Sequence, residues 1–337
     1  RDRSVSRGLG DVYKRQVVAV VSAMGKTTDE LVGLAAALNS APSKREMDML
    51  LSTGEQVSMS LLAMAIQARG YQAISFTGWQ AGIQTDDDFS RAKIEDIHAE
   101  RIAQALETGA IVVVAGFQGL SEDGNITTLG RGGSDTTAVA LAHGIHADVC
   151  EIYSDVEGIY SADPRVAPRA RKLDVISYDD MLELSSAGAG VLQSRAVEFA
   201  RKYNVVIHSR SAFSDAEGTL IKEVDPSMEQ AVISGVAHDT SEMKITLRGL
   251  SDETGTAAKV FSALAANKVS VDMIIQNAVS NGSANITFTF PSSQKDLALE
   301  VIDNIKDQLG ISEVILSEDI AKVSLVGTGM KLSLIHI

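Results

Sequence analysis

Short apolar runs stopped by small or polar residues recur at residues 17–22 (VVAVVS), 73–77, 111–115, 149–153 and 205–208. Between them lie stretches whose apolar residues repeat at helical spacing, at residues 28–39, 98–107, 135–143, 178–185 and 191–202. Ser43 followed by Glu46 predicts a capping box that opens a further helix. That helix is expected to break at residues 52–55 (STGE) and to resume as far as Gly70. Alternation of this kind constrains the fold strongly. It implies a parallel sheet with helices on both faces, and ligands beyond the carboxyl ends of the strands.

The pattern changes after about Gly218. Residues 224–230 are polar, contain Pro226 and read as a linker. Strand signals follow at residues 244–248, 270–275, 285–290, 313–316 and 322–326, with helical signals at 256–267 and 294–309. The first six of these elements, in the order strand, helix, strand, strand, helix, strand, follow the ferredoxin-like plan, and a second copy would begin at Lys322. A length of 337 residues suits two domains of this size.

Thirty basic against forty-four acidic residues leave a net charge of −14, which argues against nucleic acid or an anionic membrane surface as the main partner. The single Cys150 excludes an internal disulfide framework, and the longest apolar runs fall far short of the roughly 18 residues of a membrane span. A soluble, cytoplasmic protein is expected. Residues 1–16 carry five basic and two acidic side chains with no hydrophobic period, and look foreign to the rest of the chain; residues 332–337 (LSLIHI) look like a matching tail. Native sequence is therefore expected from about Val17 to Lys331, with an ordinary basic disordered tail as the plainer alternative.

The sharpest chemical signal is residues 127–137, TTLGRGGSDTT, between a strand and a helix. Consecutive glycines let backbone N–H groups approach an anion at the positive end of a helix, and Arg131 can fork two hydrogen bonds onto a carboxylate or phosphate. Ser134 and Asp135 could instead simply cap the helix. Residues 153–165, YSDVEGIYSADPR, leave a strand end where a ligand crevice would lie, with a charged turn at Asp163-Pro164-Arg165. A solvated loop is the plainer alternative. Met24-Gly25-Lys26-Thr27 is no P-loop, because Val20 stands where that motif needs glycine. The six histidines have no ligand spacing, Cys150 lies in a strand and reads as core, and Trp79 could line a pocket or pack.

Together, residues 20–31 (VVSAMGKTTDEL), STGE, 76–82 (FTGWQAG), 114–119 (VAGFQG), 127–142 and 153–165 resemble the aspartate kinases, within the amino-acid kinase family. Residues 248–261 (RGLSDETGTAAKVF) and 271–277 (VDMIIQN) resemble the ACT regulatory domain of those enzymes. The resemblance covers essentially Val17 to Lys331. It implies an α/β fold: a three-layer αβα amino-acid kinase domain with a mostly parallel sheet over residues 17–224, a linker at 225–239, an α+β ferredoxin-like ACT domain at 240–327, and at 328–337 the start of a second ACT unit with the tail. It implies transfer of the ATP γ-phosphate to the side-chain carboxylate of L-aspartate with Mg²⁺, and feedback by lysine, threonine or both.

By the same resemblance, Glu55 holds the substrate ammonium, Arg131, Gly132, Gly133 and Ser134 hold its carboxylates, and Thr27 and Thr28 share that loop region. Asp135 organises phosphoryl transfer. Ser22, Ser154, Asp155, Tyr160, Asp163 and Arg165 match nucleotide-side positions, with no metal ligand assigned. Asp252, Gly255, Ala257, Ser270, Asp272 and Gln276 match an effector site. A homodimer or higher oligomer through ACT domains is implied, and a companion regulatory chain is conceivable in an actinobacterial-like parent.

Three departures stand out. The family's opening Lys-Phe-Gly-Gly-Thr-Ser strand, whose lysine neutralises phosphate charge, does not occur here. A second family lysine falls at Gly190 in AGAGVLQ, and the second ACT unit stops near Lys331. Loss of one electrostatic donor costs on the order of 10²–10³ in rate, so this chain is expected to turn over weakly, with an exposed sheet edge. Two rival readings remain: a kinase for glutamate or N-acetylglutamate, and a non-catalytic amino-acid-binding regulator. A glycine-rich hydrolase is more distant, because no Ser–His–Asp ordering is visible.

Overall fold

The computed structural model describes residues 16–224, 233–251, 253–279 and 283–327. The chain divides into two compact units, Arg1–Val236 with Leu325–Ile337, and Ala237–Ser324. The first unit runs β1 (Val18–Val21), α1 (Thr27–Leu38), α2 (Lys44–Gln67), β2 (Ala73–Phe76), β3 (Ile83–Thr85), β4 (Ile94–Ile97), α3 (Glu100–Glu107) and β5 (Ile111–Ala115). It continues through β6 (Gln118–Ser121), β7 (Ile126–Thr128), α4 (Gly133–Gly144), β8 (Cys150–Ser154), β9 (Val175–Ile176), α5 (Tyr178–Ser186), α6 (Ser194–Tyr203), β10 (Ile207–Ser211) and β11 (Thr219–Ile221).

β5 is the centre of a parallel sheet of order β1-β5-β2, with Val21 opposite Ala115 and Phe76 opposite Val114. All five of its residues are buried, which is why the strand reads as unbroken apolar sequence. Alternate side chains feed opposite layers. Ile111, Val113 and Ala115 cluster with Met59, Ala63 and Ile66 of α2. Val112 and Val114 cluster with Ile102 and Leu106 of α3 and Leu141 of α4. Two apolar faces on one strand therefore build the three-layer αβα core, each buried aliphatic side chain contributing about 1.5–3 kcal/mol. A second parallel pair, β8 with β10, carries β11 and β9 in a sheet of order β8-β10-β11-β9.

Several expectations change. The break foreseen at residues 52–55 does not occur: α2 is one helix of 24 residues. The Ser52 and Thr53 hydroxyls donate to the carbonyls of Met49 and Leu50 inside the helix, and Gly54 packs against Ala23. Only half of the capping box forms: the Ser43 side chain accepts from the Glu46 N–H at 3.4 Å, while the Glu46 carboxylate pairs with Arg45 instead of reaching back to Ser43. α2 is also long and apolar enough to cross a membrane by length and composition, which run length in the sequence did not suggest. It buries Asp48, Ser52, Glu55 and Ser58 within the unit, as a core helix does. The sheet of order β4-β3-β6-β7 was not anticipated, because its short strands are largely polar. Cys150 is buried as expected, and burial first, then Asp135 and Glu151, pushes its thiol up to about 12.

The foreseen linker is partly strand. Residues 225–232 lie outside the described residues, and β12 (Gly235–Asp239) follows them. The second unit then runs β13 (Glu242–Ser251), α7 (Thr256–Ala266), β14 (Ile274–Val279), β15 (Ser283–Pro291), α8 (Lys295–Leu309) and β16 (Glu313–Ser317). Its antiparallel sheet has the order β14-β15-β13-β16, the ferredoxin-like arrangement. Ile245, Leu247, Val260, Leu264, Phe288, Val301 and Ile302 form its core. β17 (Lys322–Val326), read as the start of a second copy, pairs with β12. The tail at 328–337 and the first fifteen residues lie outside the described residues.

Candidate functional site

The carboxyl ends of β1 and β5 lie side by side, because the Gly116 N–H donates to the Val21 carbonyl at 3.0 Å. Just beyond β1, the Ala23 N–H donates to Glu55 Oε1 at 3.0 Å. Glu55 Oε2 is sealed from solvent and has no hydrogen-bond partner among the described residues. Burial raises the pKa of this carboxyl, and the Ala23 hydrogen bond only partly opposes that shift. A buried acid with one free oxygen is an electrostatic demand for a cation. Thr27 lies on the same side: its methyl is 3.6 Å from a Cβ built on Gly54, and its hydroxyl donates to the Met24 carbonyl. Thr28 follows in α1 and is exposed.

The glycine-rich segment joins β7 to α4. Gly130 and Gly132 adopt left-handed φ values of 77° and 69°. A Cβ at Gly132 would fall 1.9 Å from Gln193 Cγ, and one on Gly116 would fall 2.9 Å from Ser134. The N-cap of α4 is Gly132, with no side-chain cap, so Ser134 and Asp135 lie inside the first turn rather than capping it. The plainer alternative for this motif is thereby set aside. The Gly133 N–H donates to the Gly130 carbonyl at 3.0 Å, which leaves the Ser134 and Asp135 N–H groups and the helix dipole to present positive potential. Arg131 is exposed, with no ion pair or hydrogen bond to the described residues. Burial raises the Asp135 pKa.

The structure therefore brings Glu55, Thr27 and the Gly132–Ser134 turn to adjoining strand ends. Ser22 follows β1 on that side. Ser154 ends β8, and Asp155, Tyr160, Asp163 and Arg165 follow in one segment. Arg165 forks onto Asp163, with Nη2 to Oδ2 at 2.8 Å, and Asp155 adds to the field on that guanidinium. Gly190 lies in an exposed turn where an added Cβ meets nothing within 4 Å. Trp79 is half-buried in the turn after β2. The described residues contain no group of three or more His, Cys, Asp or Glu that could hold a metal ion.

The amino acid kinase family model matches residues 4–211, and an ACT domain model matches residues 243–304. The aspartokinase of Mycolicibacterium smegmatis is 52% identical over 338 residues, 98% of this chain and 80% of its own length. The chain belongs to the aspartokinase family.

Solved aspartokinases agree. E. coli aspartokinase III in complex with aspartate and ADP superposes with a TM-score of 0.72 at 27% identity, covering 98% of this chain and 71% of that one. The same enzyme with lysine and aspartate gives 0.68 at 30% identity, covering 90% and 68%. Aspartate kinase from Synechocystis gives 0.57 at 40% identity, and this chain spans 57% of it.

In the second unit, Gly255 caps α7 at φ 96°, and Ala257 packs on the core from its first turn. The Ser270 N–H donates to Gln294 Oε1 at 2.8 Å, Asp272 pairs with Lys322, and Gln276 lies on β14 opposite Ile286. Asp252 lies outside the described residues.

Sequence reading missed the residues that hold the glycine-rich loop between β7 and α4. Asp48 of α2 accepts from Ser90 and Thr128, and Arg195 of α6 donates to the carbonyls of Leu129 and Ala92. The signal for Asp48 is an acid among the apolar neighbours of MDMLL.

Proposed function

We propose that this chain transfers the γ-phosphate of ATP to the side-chain carboxylate of L-aspartate, making 4-phospho-L-aspartate and ADP. The observation that carries the reading is the charge pattern at the ends of β1 and β5. One buried, half-partnered carboxylate stands with a helix terminus that has no side-chain cap and an arginine unengaged by the described residues. Aspartate has one ammonium and two carboxylates, which is the complementary set. Glu55 takes the ammonium; Arg131 and the Gly132–Ser134 loop take the carboxylates, with Thr27 and Thr28 beside them.

The acceptor is already ionised at neutral pH, so no general base is needed. A carboxylate oxygen forms a bond to the γ-phosphorus as the bond from that phosphorus to the β,γ-bridging oxygen breaks, and ADP leaves with the electron pair. Repulsion between acceptor and triphosphate is the obstacle, so positioning and charge neutralisation supply the catalysis. Ser22, Ser154, Asp155, Tyr160, Asp163 and Arg165 are assigned to the nucleotide side, and Asp135 to the transfer region. Mg²⁺ is the expected companion of ATP, and holds chiefly to phosphate oxygens and waters with one or two carboxylates. Were it bound here, Asp135 or Asp155 would be the carboxylate beside it, and the ion would neutralise phosphate charge.

The ferredoxin-like unit is assigned to feedback by lysine, threonine or both, through Gly255, Ala257, Ser270, Asp272 and Gln276, with Asp252 added from the sequence match. The enzyme is proposed to work in the cytoplasm as a homodimer. The test is ADP release with Mg²⁺-ATP and aspartate, glutamate or N-acetylglutamate in turn. It is run on this chain and on a version with a Lys-Phe-Gly-Gly-Thr-Ser strand in place of residues 1–16. Aspartate-dependent release supports the reading, and release with another acceptor replaces it. Silence in both folded versions favours a non-catalytic amino-acid-binding regulator, a reading that Gly190 supports.

A further inference from the structure

Asp48 has no solvent exposure, yet no part of the proposed chemistry uses it. Its two oxygens divide four donors between them. Oδ2 accepts the backbone N–H groups of Ser90 at 2.9 Å and Thr128 at 2.8 Å. Oδ1 accepts the hydroxyls of Ser90 at 3.1 Å and Thr128 at 2.8 Å. Ser90 holds a left-handed φ of 71°, a strained conformation for serine, and its carbonyl would lie 2.9 Å from a Cβ on Gly130. From the other side of the segment, Arg195 Nη1 donates to the Leu129 carbonyl at 2.8 Å and Nη2 to the Ala92 carbonyl at 2.7 Å. The Leu129 N–H donates to the Phe117 carbonyl at 2.8 Å.

Residues 128–130 are thus fixed by a carboxylate, a guanidinium and a backbone bond immediately before Arg131 and Gly132. Arg131 has no anchor among the described residues, so its position follows the backbone on either side: residues 128–130 before it, and after it the first turn of α4, where the Gly133 N–H donates to the Gly130 carbonyl at 3.0 Å and the Thr137 hydroxyl to the Gly133 carbonyl at 2.8 Å. We infer that Asp48 and Arg195 are positioning residues that set affinity for the acidic amino-acid substrate by holding the 128–134 loop in its binding shape. The inference rests on the assignment of that loop to aspartate. Preorganisation of this kind lowers the ordering cost of binding and keeps donors aligned.

The test measures the aspartate Kd by calorimetry and, where turnover permits, the KM values for aspartate and ATP, alongside the melting temperature. Asp48→Ala removes all four bonds. It is expected to weaken aspartate binding at least tenfold while the KM for ATP changes less than threefold. Asp48→Asn is the rescue: its amide oxygen can accept the two N–H groups, and its NH₂ can donate to the two hydroxyls with their roles reversed. It is expected to stay within about threefold of the unaltered chain, as a role confined to this geometry requires. Arg195→Lys, which cannot fork two carbonyls, and Thr128→Val are milder probes should Asp48→Ala fail to fold. Each is expected to raise the aspartate Kd severalfold. Aspartate Kd unchanged in folded Asp48→Ala, or in both milder variants, overturns the inference, as does an equal loss for both substrates. Absence of aspartate binding by the unaltered chain overturns the substrate assignment as well.

Discussion

Glu55 has one oxygen satisfied by the Ala23 N–H and the other buried without a partner, and burial raises its pKa in the folded chain. The folded state therefore holds the proton more tightly than the unfolded state does. Its contribution to stability is full below the ordinary carboxylate range and is lost as pH rises through the raised value. Glu55→Gln removes that loss while keeping an acceptor for Ala23. At neutral pH the variant should melt higher, by about 2–4 °C for each kcal/mol recovered. Aspartate affinity should fall about 10- to 100-fold with the lost charge-assisted contact. In the unaltered chain, aspartate affinity should weaken as acidification protonates Glu55. Melting curves and calorimetry across pH check both signs, and a variant matching the unaltered chain in both refutes the role. Gly190 gives the opposite case, a residue with nothing around it. Gly190→Lys should leave the melting temperature within about 1 °C, as surface changes generally do. It should recover part of the factor of about 10²–10³ that one electrostatic donor supplies. Unchanged ADP release by the folded variant would deny a lysine any use there.

At the scale of elements, α2 does two jobs, and Gly54 is where they meet. The glycine lets the helix approach the segment after β1, with an added Cβ only 3.0 Å from Ala23 Cβ. Gly54→Ala should gain about 1 kcal/mol of helix propensity and spend it displacing Ala23, whose N–H orients Glu55. Melting should move little while the aspartate KM rises severalfold, since a 1 Å misplacement can cost about 10²-fold. A KM unchanged by the substitution would mean that Ala23 yields without moving Glu55. The same helix shows what the sequence could convey. Buried strands such as β5 were legible from their apolar runs, and β15 alternates buried and half-buried residues along its length. The continuity of α2 was not legible, because Ser52 and Thr53 satisfy their hydroxyls within the helix, which composition cannot show. β3, β6 and β7 were missed because polar side chains, such as the Thr85–Thr127 pair, are buried between them. The glycine loop and Glu55 were visible as motifs. Asp48 and Arg195 were not, because their partners lie 42 to 103 residues away and only the fold brings them together.

For the whole molecule, the second unit carries its own core, closed by α7 and α8 over one face of the sheet. Residues 237–324 should therefore fold alone and melt cooperatively. If the effector assignment holds, free lysine or threonine should raise that melting temperature, since a ligand that binds only the folded state stabilises it by mass action. β14 is an edge strand, and Met273, Ile274 and Ile275 are 49%, 51% and 45% exposed. An apolar edge with unpaired backbone groups is a template for pairing with another copy. If the proposed homodimer forms through this edge, Ile275→Lys should shift sedimentation from dimer to monomer without lowering the melting temperature of the isolated unit by more than about 1 °C, as for other surface substitutions. A unit that stays dimeric with Ile275→Lys would place self-association elsewhere. A unit that is monomeric before substitution would remove β14 as the contact, and the dimer would then have to form through the kinase unit.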